Sequence, residues 1–370
     1  MKMITNALKR LASLMLRTLL VFIVVEGICS VWLTALRGWQ MAGSVRAGGR
    51  NAQFDPDLGW VNIPNFNMRD LYGPGGHTRT NSRGFRNAEE FEAKIPEGRI
   101  RILCSGDSFV FGYGVDNDHA NCNLLAAENT HLETVNMGIP GYGLDQMYLL
   151  YKREGLKLDH DVHLIAVIKE DLTRMAAVKF LDANKPVIRL RNGALVVGNV
   201  PVQRSGYSMP EVTRALSIFD ATRFMTLYRT LFPGTRPANV YGSENELVDT
   251  AVAIFEDLAR LATERNAILV VAYLPMAGDV EDAAVTQAYL SAELARRNVV
   301  FVDLTPEFRA VPVSQRAALF IPRRARNEPF AAGHYSRAGN LFVAGAFWKR
   351  ISALPAVSGK LARLAPSAPR

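Results

Sequence analysis

Five short strand candidates, most of them apolar, alternate with helical patterns along most of this chain, and that rhythm restricts the fold more than any other feature. The runs are residues 101–104, 133–136, 162–168, 267–274 and 299–302. Helical patterns cover residues 121–129, 144–154, 244–264 and 280–297 between them, and 341–351 after the last. A strand that is apolar throughout is buried on both faces, and an intervening helix makes each connection a crossover. The expected architecture is an α/β fold of three layers, with a central parallel sheet. Such sheets bind ligands at the carboxyl edge of their strands.

Gly106-Asp107-Ser108-Phe109 directly follows the first run, so its side chains should stand at that edge. Gly112, Gly114 and Asp116-Asn117-Asp118 continue the turn. A serine there becomes a nucleophile if a histidine reaches it, because an unassisted hydroxyl is a poor one. His334, in Gly333-His334-Tyr335-Ser336, is the histidine at a comparable late position. An early serine and a late histidine in one α/β domain point to acyl-transfer chemistry, with Ser108 as nucleophile and His334 as base. Asp107 reads as the residue that caps the turn. His77, His119, His131, His160 and His163 show no metal-ligand spacing, so no metal is expected. Gly73-Pro74-Gly75-Gly76 neither follows a strand nor opens a helix, so no nucleotide loop and no cofactor is expected. Tyr72, Trp60 and Tyr142 either stack on sugar rings or pack.

The flanks read differently. Residues 18–36 carry one charge, Glu26, over 19 positions. As a helix they would span about 28 Å, close to a bilayer core. Lys2, Lys9, Arg10 and Arg17 precede them, which orients the following chain away from the cytoplasm. Residues 1–37 are therefore expected to be a membrane anchor, and residues 38–95 a juxtamembrane linker with a turn-rich lead-in. The α/β domain covers residues 96–352. It carries an insertion at about residues 175–240, in which Asn192-Gly193 between extended runs signals a hairpin. Residues 353–370, rich in Ala, Pro and basic side chains, are expected to be disordered. The formal charge of +8 is spread along the chain without a basic stripe, which argues against nucleic acid. Cys29, Cys104 and Cys122 read as small buried hydrophobes.

The motifs resemble those of the SGNH/GDSL hydrolase superfamily over about residues 54–350. Ser105-Gly106-Asp107-Ser108-Phe109 is similar to its first block and Asn136-Met137-Gly138-Ile139-Pro140-Gly141-Tyr142-Gly143 to its second. Residues 168–174 are similar to the third block, and the His334 segment to the fifth. The resemblance implies a flavodoxin-like α/β/α fold. It also implies an oxyanion hole built from the amides of Ser108 and Gly138. Two departures stand out. Glu170 of Lys169-Glu170-Asp171 occupies the place of an oxyanion-donating Asn, and a carboxylate donates nothing unless protonated. Ala331-Ala332-Gly333 precedes His334 where the family has Asp-x-x-His; Glu328 is the nearest acid in sequence that could orient the ring. Residues 55–60, 80–86 and 186–202 resemble membrane-anchored members associated with bacterial envelope polysaccharide modification. That implies a single-pass inner-membrane protein with its catalytic domain in the periplasm. It would be an esterase or O-acyltransferase acting on acetyl esters of a carbohydrate, beside polysaccharide biosynthesis proteins. The departures equally fit a catalytically impaired binding or assembly component of such a machine.

Overall fold

A computed structural model describes residues 6, 9–24, 50–181, 183–204, 240–278, 280, 285–322 and 331–364. The chain divides into two units, residues 1–45 with 205–238, and residues 46–204 with 239–370. In the first unit, residues 9–24 are helical, with exposed apolar side chains such as Leu16, Leu20 and Phe22. Residues 25–36 of the expected anchor lie outside the described residues, and so do residues 205–239 of the expected insertion. No described helix is long and apolar enough to cross a membrane.

The second unit opens with two antiparallel hairpins, β1 (Ala52–Asp55) with β2 (Gly59–Asn62), and β3 (Asn67–Arg69) with β4 (His77–Arg79). The sheet strands β5 (Ile100–Ser105), β6 (Leu132–Asn136) and β7 (Val162–Val167) follow. Next come the short pair β8 (Lys179–Phe180) and β9 (Ala183–Asn184), then the hairpin β10 (Val187–Arg191) and β11 (Ala194–Gly198). Asn192 and Gly193 take its turn at φ of 50° and 76°, the two positive values that a two-residue hairpin loop demands. Strands β12 (Ile268–Tyr273) and β13 (Val300–Asp303) complete a parallel sheet in the order β13-β12-β7-β5-β6. Read in the order in which its strands occur along the chain, that sheet is 2-1-3-4-5, the doubly wound flavodoxin-like order.

Side chains alternate across the sheet. Ile165 and Val167 of β7 enter one apolar cluster, Leu164 and Ala166 the other. Leu269 and Val271 of β12 repeat the pattern against Val270 and Ala272. With helices α1 (Ser108–Phe111), α2 (Asn121–Leu125), α3 (Leu144–Arg153), α4 (Lys169–Met175) and α5 (Glu244–Glu264), both faces are covered. α6 (Val285–Arg296), α7 (Thr305–Ala310), α8 (Val313–Arg316) and α9 (Arg337–Ile351) complete the cover. α5 shows why: Ser243 caps its first turn by accepting the Glu246 amide at 3.2 Å, and Val248, Ala251, Phe255, Leu258 and Ala262 form its buried stripe.

Three expectations are corrected. The last turn of the chain is not a structureless tail throughout. α10 (Pro355–Leu364) packs Val357, Leu361 and Leu364 on the core, and Lys360 binds Asp161 at 2.7 Å. Cys104 and Cys122 are not free hydrophobes; they form a disulfide between β5 and α2 with Cα atoms 6.2 Å apart. Residues 50–95 are no linker. Asn62 Nδ2 donates to the Gly138 carbonyl at 3.2 Å and Gln146 Nε2 to the Leu58 carbonyl at 2.8 Å. Arg86 reaches four acceptors beside α1. Trp60 and Tyr142 pack rather than face solvent: the rings meet edge to face at 5.6 Å, and the Tyr142 hydroxyl donates to the Trp60 carbonyl at 2.6 Å.

One buried group sets a pH dependence. His163 on β7 stacks on Tyr151 at 3.7 Å and meets Ser105 Oγ at 2.9 Å. Burial holds its imidazole well below the ordinary value of 6.5, and nearby His160 lowers it further. The unfolded imidazole therefore takes a proton first as pH falls. Stability is complete above the unfolded pKa and declines below it. Urea unfolding should show a midpoint that drops between pH 7 and pH 5, and less steeply in His163→Gln. Parallel slopes for the two proteins would contradict this.

Candidate active site

The turn that carries Ser108 is built by a strand that ends against its neighbour. A side chain at Gly106 would sit 2.2 Å from a Val110 methyl and 2.9 Å from the Ala166 carbonyl, so only glycine lets β5 close on β7 there. Asp107 follows as the cap of α1; its Oδ1 accepts the Phe109 amide at 2.8 Å. Ser108 is the first residue of α1, so its own amide has no intrahelical acceptor.

His334 arrives from the other end of the chain. Its carbonyl accepts the Ile321 amide at 2.8 Å, and Phe320 bridges Tyr335 in antiparallel fashion. Ser336 caps α9 immediately after it. Asn121 Nδ2 donates both to the Phe109 carbonyl at 2.7 Å and to Asn340 Oδ1 at 3.0 Å, which ties α9 to α1. These ties bring His334 Nε2 to 2.8 Å from Ser108 Oγ. The Phe109 ring stacks on the imidazole at 4.8 Å, and Tyr113 lies at 5.3 Å. The second nitrogen, Nδ1, faces the Ala331 carbonyl at 3.2 Å. A carbonyl only accepts, so the proton resides on Nδ1 and the Nε2 lone pair points at the serine. This is the tautomer that a general base needs.

Burial lowers the His334 pKa, with Arg174 adding to the effect, while Asp107 and the Ala331 carbonyl oppose it. A base works when neutral, so a lowered pKa extends activity toward acid. Under this reading the acid limb of the rate profile falls below pH 6.5, and turnover is flat at pH 7. A limb centred above pH 7 in the purified protein would contradict it.

The other expected residues are placed unevenly. The Gly138 amide donates to Asn136 Oδ1 at 3.0 Å, so the oxyanion role expected for it is not supported. Gly138 is glycine for another reason: a Cβ there would lie 2.3 Å from the Phe111 amide nitrogen. Asp171 is buried at the start of α4, where its Oδ2 accepts the Ile168 amide at 2.8 Å. Burial pushes its carboxyl well up, and the Asp107 carboxyl adds to the shift. Glu170 is half-buried beside it. Glu328 lies outside the described residues. Arg174 was not anticipated. Its Nη1 donates to Asp107 Oδ2 at 3.0 Å, to Asp171 Oδ1 at 2.6 Å and to the Tyr142 carbonyl at 3.0 Å. The spacing of three between Asp171 and Arg174 on a helix was its one local signal. Among the described residues, no group of three or more His, Cys, Asp or Glu side chains could hold a metal ion.

No family model and no curated protein matches the chain. Solved structures do. One is a lipolytic protein of the G-D-S-L family from Desulfitobacterium hafniense, 14% identical over 68% of this chain and 99% of that one, with a TM-score of 0.38. The acetyl xylan esterase AlAXEase is 12% identical over 68% and 100%, with a TM-score of 0.39. The acetylxylan esterase Axe2 from Geobacillus stearothermophilus is 15% identical over 70% and 96%, also at 0.39. With TM-scores below 0.5, the reading of this site rests on its own residues.

Proposed function

We propose that the chain is a serine esterase or O-acyltransferase that acts on acetyl esters of a cell-envelope polysaccharide. The observation that carries the chemistry is the 2.8 Å contact between Ser108 Oγ and His334 Nε2, with the ring proton held on the other nitrogen by the Ala331 carbonyl. Ser108 Oγ attacks the acyl carbon, and its proton passes to His334 Nε2. The oxyanion forms beside the Ser108 amide. The Gly141 amide, in the loop after β6, has no hydrogen-bond acceptor among the described residues and would serve as the second donor. Collapse breaks the bond to the leaving alkoxide, which takes the proton from Nε2. Water or a sugar hydroxyl then attacks the acyl-serine, giving its proton to His334 Nε2; collapse breaks the bond to Ser108 Oγ, which takes that proton back. The protein contributes no cofactor to these steps.

A periplasmic setting is supported by the Cys104–Cys122 disulfide, a bond that persists in oxidising compartments. The basic residues ahead of the apolar run at 18–36 support an anchor in the inner membrane with this domain outside. A second reading is a carbohydrate-binding or assembly component that has lost turnover. Glu170 at the place of an oxyanion donor and a carbonyl in place of an orienting carboxylate favour it.

Incubating the full-length protein with acetylated oligosaccharides separates the readings. Ser108-dependent release of acetate, or its appearance on an acceptor sugar, supports the enzyme. Saturable binding with neither product supports the assembly component.

A further inference from the structure

Arg174 stands where acids from two strand ends meet the nucleophile turn. Its Nη1 holds Asp107 Oδ2 at 3.0 Å. That oxygen is also the second acceptor within reach of the serine, 3.2 Å from Ser108 Oγ. A hydroxyl carries one proton. Donated to Asp107, it points away from the base; donated to His334 Nε2 at 2.8 Å, it is ready to transfer. The Asp107 carboxyl cannot simply be dispensed with, because its Oδ1 caps α1 through the Phe109 amide. The turn therefore contains a competitor for the very proton that the base must take.

We propose that Arg174 is a positioning residue: by engaging Asp107 Oδ2 it turns the Ser108 hydroxyl toward His334. The inference rests on the esterase reading given above. Arg174 gives and takes no proton. As the bond from Ser108 Oγ to the acyl carbon forms, the O–H bond breaks and the proton moves to Nε2, and the guanidinium keeps the carboxylate from recapturing it. Asp171 Oδ1, at 2.6 Å, and the Tyr142 carbonyl hold the guanidinium from the far side. The Phe180 ring lies 5.0 Å from it, so its place is fixed by contacts from β7's end, the second block and the β8–β9 pair.

Among the described residues, Asp107 and Arg174 are the charged groups that act on His334, with the Tyr113 ring as its titratable neighbour. Asp107 favours the imidazolium and Arg174 disfavours it. Removing the guanidinium leaves the carboxyl unopposed, which should move the base toward a higher pKa.

The test uses p-nitrophenyl acetate and full-length protein. In Arg174→Gln, kcat at pH 7 should fall about 10- to 100-fold, within the range that proton transfer to a positioned base contributes. KM should hold, and the acid limb should move up by about one pH unit. Asp107→Asn combined with Arg174→Gln should recover kcat and return the limb, because an asparagine can cap α1 through its oxygen and leaves its amide nitrogen, which accepts nothing, toward the serine. If Arg174→Gln does not fold, Arg174→Lys carries the test: a loss of a few-fold with an unmoved limb is expected, and a moved limb contradicts the idea. Ser108-dependent turnover in the parent together with an unchanged Arg174→Gln profile overturns the inference and leaves the esterase reading standing. A kcat loss without a shifted limb and without recovery in the double variant marks a structural role and also overturns it. A parent with no Ser108-dependent turnover ends both.

Discussion

Alanine at position 108 is expected to reduce ester hydrolysis to background, a loss of at least about 10³-fold, the scale seen when a serine nucleophile is removed. Ser108 is almost fully buried at the foot of the site, 7% exposed, and among the described residues it is the hydroxyl that meets His334 Nε2. The variant should fold as the parent does. Asp107 caps α1 through the Phe109 amide, not through the serine, and the lost hydroxyl leaves room about the size of one oxygen. His334→Ala should fall by a comparable factor, and the double variant by little more, because nucleophile and base act as a unit. The measurement is the steady-state rate with p-nitrophenyl acetate, compared with thermal unfolding of each variant. A Ser108→Ala protein that keeps a tenth of the parent rate would remove the serine from the mechanism.

Arg86→Ala should cost about 3–5 kcal/mol of stability, the upper range for a single substitution. Arg86 is fully buried and donates to the carbonyls of Phe111 at 2.9 Å, Gly112 at 3.0 Å and Val115 at 2.6 Å, and to Asn117 Oδ1 at 3.2 Å. Its guanidinium lies 4.0 Å from the centre of the Phe111 ring. Burial lowers its pKa to about 10, so it remains a cation at neutral pH. Alanine would take the Arg86 donor from the Phe111 and Val115 carbonyls, while Gly112 keeps the Val115 amide, and would open a cavity beneath α1. Lysine has one ammonium where four acceptors diverge, so Arg86→Lys should recover only part of the loss. Urea unfolding at neutral pH measures both. A loss below about 1 kcal/mol for alanine, the net worth of one ordinary hydrogen bond, would mean that the loop after α1 is held by other contacts.

The sheet was legible because its central strands β7 and β12 are buried, largely apolar runs bounded by polar turns. The run at 162–168 appears as Val162–Val167, and that at 267–274 as Ile268–Tyr273. The pair Ser108 and His334 was legible because both follow sharp turns near predicted strand ends or helix starts. What was missed has physical causes. Arg174 matters through Asp107, 67 positions earlier in the chain, and no local pattern reports such a contact. The Gly138 amide was misread because its direction is fixed by a side-chain oxygen two residues before it. The disulfide joins a strand to a helix across 18 positions, a spacing that resembles no framework. In α10 the signal was present: Val357, Leu361 and Leu364 fall at spacings of four and three, one face of a helix, but the surrounding Ala, Pro and basic residues outweighed it.

The claim on which the rest depends is that Ser108 carries the acyl group. Rapid mixing of the full-length protein with p-nitrophenyl acetate, an acid quench, and peptide mass mapping tests it. An acetyl group on the peptide containing Ser108, formed within the first turnover and absent in Ser108→Ala, is the expected result. Turnover of the ester with Ser108 unmodified throughout, or an acetyl group on another residue that forms just as fast in Ser108→Ala, would contradict it.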